Sequence, residues 1–207
     1  MQPFTRITAI AAPLLRANID TDVIIPIQRL VGTGREGLGP YAFERQRYLE
    51  GGADDPGFPL NHPAYKGSAL LLAGENFGCG SSREGAVWAL MGMGVRCVIA
   101  PSFGDIFFAN CFQNGLLPVR LPAEIILQIA DETEASPGNA RTTVDLERSL
   151  VVTPTGAEIP FDVDTRKRDA MLQGLDDITL TQRYADAISA WRLRDRAARP
   201  WAWETVP

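Results

Sequence analysis

The sequence predicts a single α/β domain built on a parallel βαβαβ core. Three observations carry that prediction. The short apolar runs Ala69-Leu70-Leu71-Leu72-Ala73 and Cys97-Val98-Ile99-Ala100 are uninterrupted, as expected of strands covered on both faces. Segments of helical period alternate with them, and the succession strand, helix, strand, helix, strand implies parallel pairing through crossovers. A chain of 207 residues, 45% hydrophobic, is long enough to bury roughly two-thirds or more of its unfolded surface in one core.

Taken in order, Ile7 to Leu15 reads as a first strand, and the Asp and Asn of Asn18-Ile19-Asp20-Thr21-Asp22 favour a turn or cap before the apolar Val23-Ile24-Ile25-Pro26. From Gly32 to Gly67 the chain is irregular, with room for a short helix over Pro40 to Leu49. A structureless stretch of that length is functional or mobile rather than idle, so residues from about 27 to 67 are expected to form a mobile loop. After Ala73 comes a glycine-rich turn and then a helix with Ala86, Leu90 and Met93 on one face and Val87 and Met91 beside them. Asp105 to Gln113 reads as a second helix burying Phe108, Cys111 and Phe112, and Leu116 to Arg120 as the third core strand. Ile125, Ile126 and Ile129 mark another helix from about Ala123. Thr142–Glu147, Leu150–Thr153 and Glu158–Phe161 read as short strands of a small β layer. The tail, about 165–200, is helical, with Tyr184, Ile188 and Trp191 on one face.

Composition narrows the function. Lys+Arg 20 against Asp+Glu 25, a formal charge of -5, disfavours nucleic acid as the main partner. No apolar run reaches the roughly 18 residues of a membrane span. Ile7 to Leu15 is interrupted by Thr8 and Pro13 and is a poor signal-peptide core, so no membrane partner and a cytoplasmic location are expected. His62 is the only histidine, which excludes a zinc motif needing two. Cys79, Cys97 and Cys111 are odd in number and contain no CxxC pair, against a disulfide framework or structural zinc site. Cys97 and Cys111 fall at core positions, so no metal or cofactor is expected on this chain.

The densest polar constellation is Gly74-Glu75-Asn76-Phe77-Gly78-Cys79-Gly80-Ser81-Ser82-Arg83-Glu84-Gly85, between the strongest strand and its helix. Glycines let the backbone approach a ligand, and free N–H groups at a helix start favour an anion. Arg83 can grip a carboxylate in a fork while Ser81 and Ser82 donate hydrogen bonds. A competing reading is structural: Ser81 and Glu84 have capping-box spacing. Arginine, however, is misplaced against the helix dipole unless an anion sits there. The Walker pattern fails at Ala86, where lysine is required, and the dinucleotide fingerprint fails at Arg83, where glycine is required. Ser102 and Asp105 read as helix caps. Asp20 and Asp22 either make turn chemistry or orient an arginine and serve in proton transfer.

Asn18 to Pro26, Glu75 to Glu84, Ile99-Ala100-Pro101-Ser102-Phe103, Asn114-Gly115-Leu116-Leu117-Pro118-Val119 and Gly174-Leu175-Asp176-Asp177-Ile178 occur in order over nearly the whole chain. Together they resemble the small subunits of 3-isopropylmalate dehydratase in the aconitase superfamily. The resemblance implies a swivelling β/β/α domain, like the aconitase C-terminal domain, paired in a heterodimer with a large subunit that carries a [4Fe-4S] cluster. It implies interconversion of 2- and 3-isopropylmalate through isopropylmaleate, in leucine biosynthesis, with a small dicarboxylate as substrate. By the same resemblance Ser81 is the general base, Ser82 its hydrogen-bonding neighbour, Arg83 the carboxylate clamp and Asp22 an active-site aspartate. Relatives carry histidine where this chain has Gly85.

The resemblance also makes Ile27 to Phe43 the loop that selects the substrate's side group. Leu30, Val31 and Leu38 offer an apolar wall there, and Arg29 and Arg35 a charged one. The apolar wall is expected, because an unpaired buried carboxylate costs more than a misplaced methylene. A related hydro-lyase acting on homoaconitate, citraconate or dimethylmaleate, and a carboxylate-binding module without turnover, are the alternative functions.

Overall fold

The computed structural model of the protein describes residues 1–81, 83–136 and 140–203. The first apolar run is two strands rather than one, β1 (Arg6–Ala9) and β2 (Ala11–Leu14), and they lie in different sheets, the chain crossing over at Ile10. Their burial differs accordingly. β1 alternates exposed and half-buried residues, as in a sheet with one wet face, whereas every residue of β2 is buried.

Between β2 and the next strand the chain makes three single-turn helices, α1 (Thr21–Ile24), α2 (Ile27–Leu30) and α3 (Glu44–Arg47). Short 3₁₀ turns stand at Arg35–Gly37, Gly39–Tyr41 and Pro59–Asn61. This stretch is irregular in path but not structureless. It drives Leu38, Phe43, Phe58, Leu60 and Tyr65 into the main core, and Leu38, only 1% exposed, is therefore core rather than a wall offered to a ligand.

The predicted βαβαβ core follows. β3 (Leu70–Ala73), α4 (Glu84–Gly92), β4 (Cys97–Ala100), α5 (Asp105–Asn114) and β5 (Leu117–Arg120) succeed one another. The strands pair in parallel in the order β2-β3-β4-β5. After α6 (Ala123–Glu134), β6 (Thr142–Asp145), β7 (Leu150–Val152) and β8 (Glu158–Pro160) join β1 in an antiparallel sheet of order β1-β6-β7-β8. The strand prolines Pro13, Pro118 and Pro160 stand on the edge strands β2, β5 and β8, where a missing N–H breaks no ladder on the free side.

Period-two alternation along β3 and β4 divides the interior. Leu71, Ala73, Val98 and Ala100 face α4 and α5, while Leu70, Leu72, Cys97 and Ile99 face α6 and the antiparallel sheet through Ile126, Ile129, Val144 and Val151. The layers are thus helix, parallel sheet, and a second β layer. One face of α5 is corrected: Phe107, not Phe108, is fully buried. Phe107 lies at the right spacing with Cys111 and Asn114 to point inward, whereas Phe108 is half-buried with the Arg120 guanidinium 4.0 Å above its ring.

The helical tail is three helices, α7 (Thr165–Gln173), α8 (Asp177–Gln182) and α9 (Ala185–Ala198), broken first at Gly174, which caps α7 in the left-handed conformation at φ 68. Tyr184 and Trp191 are exposed, and α9 buries none of its residues. Among the described residues no helix is long and apolar enough to cross a membrane.

Candidate active site

The carboxyl ends of β2, β3 and β4 each lead into a loop, and the three loops are sewn together by main-chain hydrogen bonds. The Asn18 amide donates to the Glu75 carbonyl at 2.8 Å, Gly78 to Ile19 at 2.7 Å and Thr21 to Cys79 at 3.1 Å. On the other side, Phe77 donates to Ser102 at 3.1 Å and Gly104 to Phe77 at 2.9 Å. The glycine-rich segment is therefore the middle member of a three-loop layer at the strand ends, where ligands of open α/β sheets bind.

Glycine is required there for contact as well as conformation. Gly78 has φ +70, and a Cβ on it would lie 2.3 Å from the Phe107 ring. A Cβ on Gly104 would lie 2.5 Å from the Gly78 carbonyl oxygen. Beneath the loop, Phe77, Phe103 and Phe107 pack edge-on and stacked with centroids 5.5 to 6.4 Å apart, a rigid floor.

The polar residues sit on this layer. Arg83 is the N-cap residue of α4 and makes no side-chain cap bond; its guanidinium is exposed and has no acidic partner among the described residues. Ser81 is exposed two residues before it. The capping-box reading of Ser81 fails because the helix starts at Glu84, two residues too late for Ser81 to be its cap. Glu84 instead accepts from Asn114 Nδ2 at 3.3 Å. Ser82 lies outside the described residues.

Asp20 and Asp22 divide their tasks. Asp20 caps α1, accepting from the Val23 amide at 2.7 Å, which is the turn chemistry its spacing suggested. Asp22 is exposed in the first turn of α1, directly after Thr21, whose amide donates to the Cys79 carbonyl of the glycine loop. Ser102 does not cap α5, whose N-cap is Gly104. Its hydroxyl accepts from the Asn76 amide at 2.8 Å, and Asn76 Nδ2 donates to Asn18 Oδ1 at 2.8 Å. Asn18 and Asn76 both adopt left-handed φ, 56 and 57. These bracing residues were missed in the sequence, although asparagine's tolerance of that conformation was a usable signal.

The candidate selectivity residues separate. Arg29 is bonded to the Glu44 carboxylate at 2.8 and 3.1 Å and lies 4.2 Å from the Tyr41 ring centroid. Arg35 lies over the Trp88 ring at 5.5 Å. Leu30 packs against the core and against Gly85, and Val31 is 79% exposed. Among the described residues no group of three or more His, Cys, Asp or Glu side chains is placed to hold a metal ion. Burial pushes the Cys97 thiol well up, and burial, helped by Cys97, does the same to Cys111. Cys79 alone is partly exposed.

Comparison with known proteins identifies the architecture. Residues 1–124 match the family profile of the aconitase C-terminal domain, and residues 128–165 a profile described as LeuD_N. The chain is 51% identical to the 3-isopropylmalate dehydratase small subunit of Gluconacetobacter diazotrophicus over 201 residues, 97% of each chain. It is 50% identical to that of Dinoroseobacter shibae, over 97% of this chain and all of the other. The crystal structure of a 3-isopropylmalate dehydratase from Methanocaldococcus jannaschii superposes with a TM-score of 0.65 at 27% identity, covering 89% of this chain and 99% of that one. This chain belongs to the family of 3-isopropylmalate dehydratase small subunits, with the aconitase C-terminal fold.

Proposed function

We infer that the protein is the small subunit of a 3-isopropylmalate dehydratase, a hydro-lyase of leucine biosynthesis that works only with its large subunit. The observation that supports this most is the state of the arginines. Arg83 on the glycine loop is exposed and makes no ion pair among the described residues, while on the selectivity loop Arg29 is paired with Glu44 and the exposed Arg35 is held over the Trp88 ring at 5.5 Å. Arg83 is then free to grip a carboxylate. The exposed apolar Val31 and the packed Leu30 offer the variable end of the substrate an apolar contact, which suits an isopropyl group better than a third carboxylate.

In this reading Arg83 holds one carboxylate in a two-pronged fork and Ser82 adds a hydrogen bond. Ser81 Oγ, as an alkoxide, takes the proton from the carbon next to the one bearing the hydroxyl. The hydroxyl leaves the adjacent carbon with the electron pair of its C–O bond as the double bond forms. On rehydration hydroxide adds to the carbon that lost the proton, and Ser81 returns the proton to the carbon that lost the hydroxyl, consuming the double bond. A serine hydroxyl is a very weak base in water, and the role needs a closed site where donors at the start of α4 stabilise the oxyanion. Asp22, on the loop bonded to the glycine segment through Thr21 and Cys79, assists proton transfer. In the isolated chain Ser81, Arg83 and Asp22 all face solvent, as fits half of a site that a second subunit closes.

The iron-sulfur cluster is assigned to the large subunit, in keeping with the small-subunit family to which this chain belongs, and no step assigned to this chain passes through it. A cytoplasmic location accords with the reaction. Reconstitution with the large subunit and assay on 2-isopropylmalate, citraconate and cis-aconitate tests the reading. The highest kcat/KM is expected for isopropylmalate; preference for the tricarboxylate, or carboxylate binding without turnover, contradicts it.

A further inference from the structure

The helix behind the glycine loop carries a second feature, on the face turned toward the selectivity loop. At Gly85 a Cβ would lie 2.4 Å from Leu30 Cδ2 and 3.1 Å from Cδ1. The leucine head therefore occupies the space that any side chain at 85 would take. One turn later the Arg35 guanidinium lies over Trp88, whose Nε1 donates to Asn114 Oδ1 at 2.8 Å and so is held to α5. One turn further, Gly39 and Gly92 meet main chain to main chain, a Cβ on Gly39 falling 2.4 Å from the Gly92 carbonyl. Positions 85, 88 and 92 are three and four residues apart and form one stripe of α4. The segment from Leu30 to Gly39 is clasped to that stripe at three successive points.

The outer two contacts differ in what a substitution would do. At Gly39 and Gly92 the obstacle is backbone, which cannot yield without moving the chain. At Gly85 the obstacle is the end of a leucine side chain, which can yield by leaving. A methyl at 85 should therefore spare the fold and expel Leu30 from its seat. Gly85 lies two residues from Arg83, so the seat that Leu30 takes is on the first turn of α4, which follows the carboxylate clamp.

We propose that Gly85 is a positioning residue for substrate selectivity: the space it leaves lets Leu30 seat on α4, which fixes the α2 turn and the size of side group accepted next to Arg83. The proposal rests on the dehydratase reading of Ser81 and Arg83. Its test uses the reconstituted two-subunit enzyme with Gly85→Ala, Leu30→Ala and the double variant, each assayed on 2-isopropylmalate and citraconate. Gly85→Ala is expected to lower kcat/KM for isopropylmalate about tenfold or more, mainly through KM, because pocket misfits of one carbon are worth that much. The methyl-bearing citraconate should change by no more than about twofold, and in the double variant the two effects should fail to add by more than the about twofold scatter of independent sites. Equal losses on both substrates, or strictly additive effects, overturn the proposal. If Gly85→Ala does not assemble with the large subunit, Leu30→Ala alone decides, since an unchanged ratio between the substrates overturns it equally. A wild-type complex that turns over neither substrate overturns the dehydratase reading and this proposal with it. An active wild type whose ratio Gly85→Ala leaves unmoved overturns only the role of Gly85.

Discussion

The main-chain N–H of Asn76 donates to the hydroxyl of Ser102 at 2.8 Å, joining the glycine loop after β3 to the loop after β4. Asn76 holds a left-handed conformation there and also donates through its side chain to Asn18. Two neighbouring loops thus fix one residue of the loop that carries Ser81 and Arg83. Ser102→Ala removes the acceptor and leaves a half-buried amide unpaired, at a cost of about 1–3 kcal/mol. A lowered Tm with retained far-ultraviolet dichroism is expected, and kcat of the reconstituted enzyme should fall more than that of an exposed-surface control such as Glu124→Ala.

Gly78 is a sharper structural test. A methyl at this left-handed position would lie 2.3 Å from the Phe107 ring, and the aromatic floor leaves it no room. Gly78→Ala should destabilise the protein by about 2–4 kcal/mol, combining the left-handed penalty with overpacking. Urea denaturation measures it, and Gly94→Ala, where a Cβ meets nothing within 4 Å at φ +98, shows the conformational part alone.

Thiol chemistry should separate the three cysteines. Cys79 is partly exposed beside Ser81, whereas Cys97 and Cys111 are buried with thiols pushed up. In native protein one thiol should react promptly with a disulfide reagent and three in denaturant. Addition of the large subunit should protect Cys79, because the site it borders is the one to be covered.

Acid should loosen the start of α8. The Thr179 amide donates to Asp176 Oδ1 at 2.7 Å, and this backbone bond, with that to the Thr179 side chain, holds the Asp176 carboxyl below its ordinary value. A carboxyl depressed in the folded state contributes stability that is fully present above its unfolded pKa and is lost as pH falls through the folded one. The exchange protection of the Thr179 amide should therefore drop below about pH 4, and Asp176→Asn, which keeps an acceptor, should remove the pH dependence.

How far the sequence reached follows from which forces are local. The parallel core was legible because Leu70–Ala73 and Cys97–Ala100 are apolar on both faces, and no other element gives that pattern at that length. The loop between β3 and α4 was legible because its glycines separate an apolar run from a helical pattern, and Gly78 and Gly80 both take positive φ there. The break at Ile10 was not, since two strands in different sheets can share one apolar run. Leu38 and Phe107 depended on tertiary packing: Leu38 is drawn inward where Gly39 meets Gly92, and Phe107 is placed by the loop floor. The bond from Asn76 to Ser102 joins residues 26 apart, and nothing in local spacing announces it.

In the proposed reaction this chain supplies the proton acceptor from Ser81 and the carboxylate fork from Arg83. Steady-state kinetics of Ser81→Ala in the complex with the large subunit, on 2-isopropylmalate, tests it most directly, with Arg83→Lys assayed alongside to show the loss of substrate binding that the fork implies. Loss of a general base should lower kcat by roughly 10²-fold or more while KM stays near the wild-type value, because most binding contacts remain. A kcat close to that of the wild type would contradict the account and return Ser81 to an exposed loop residue without a part in the chemistry.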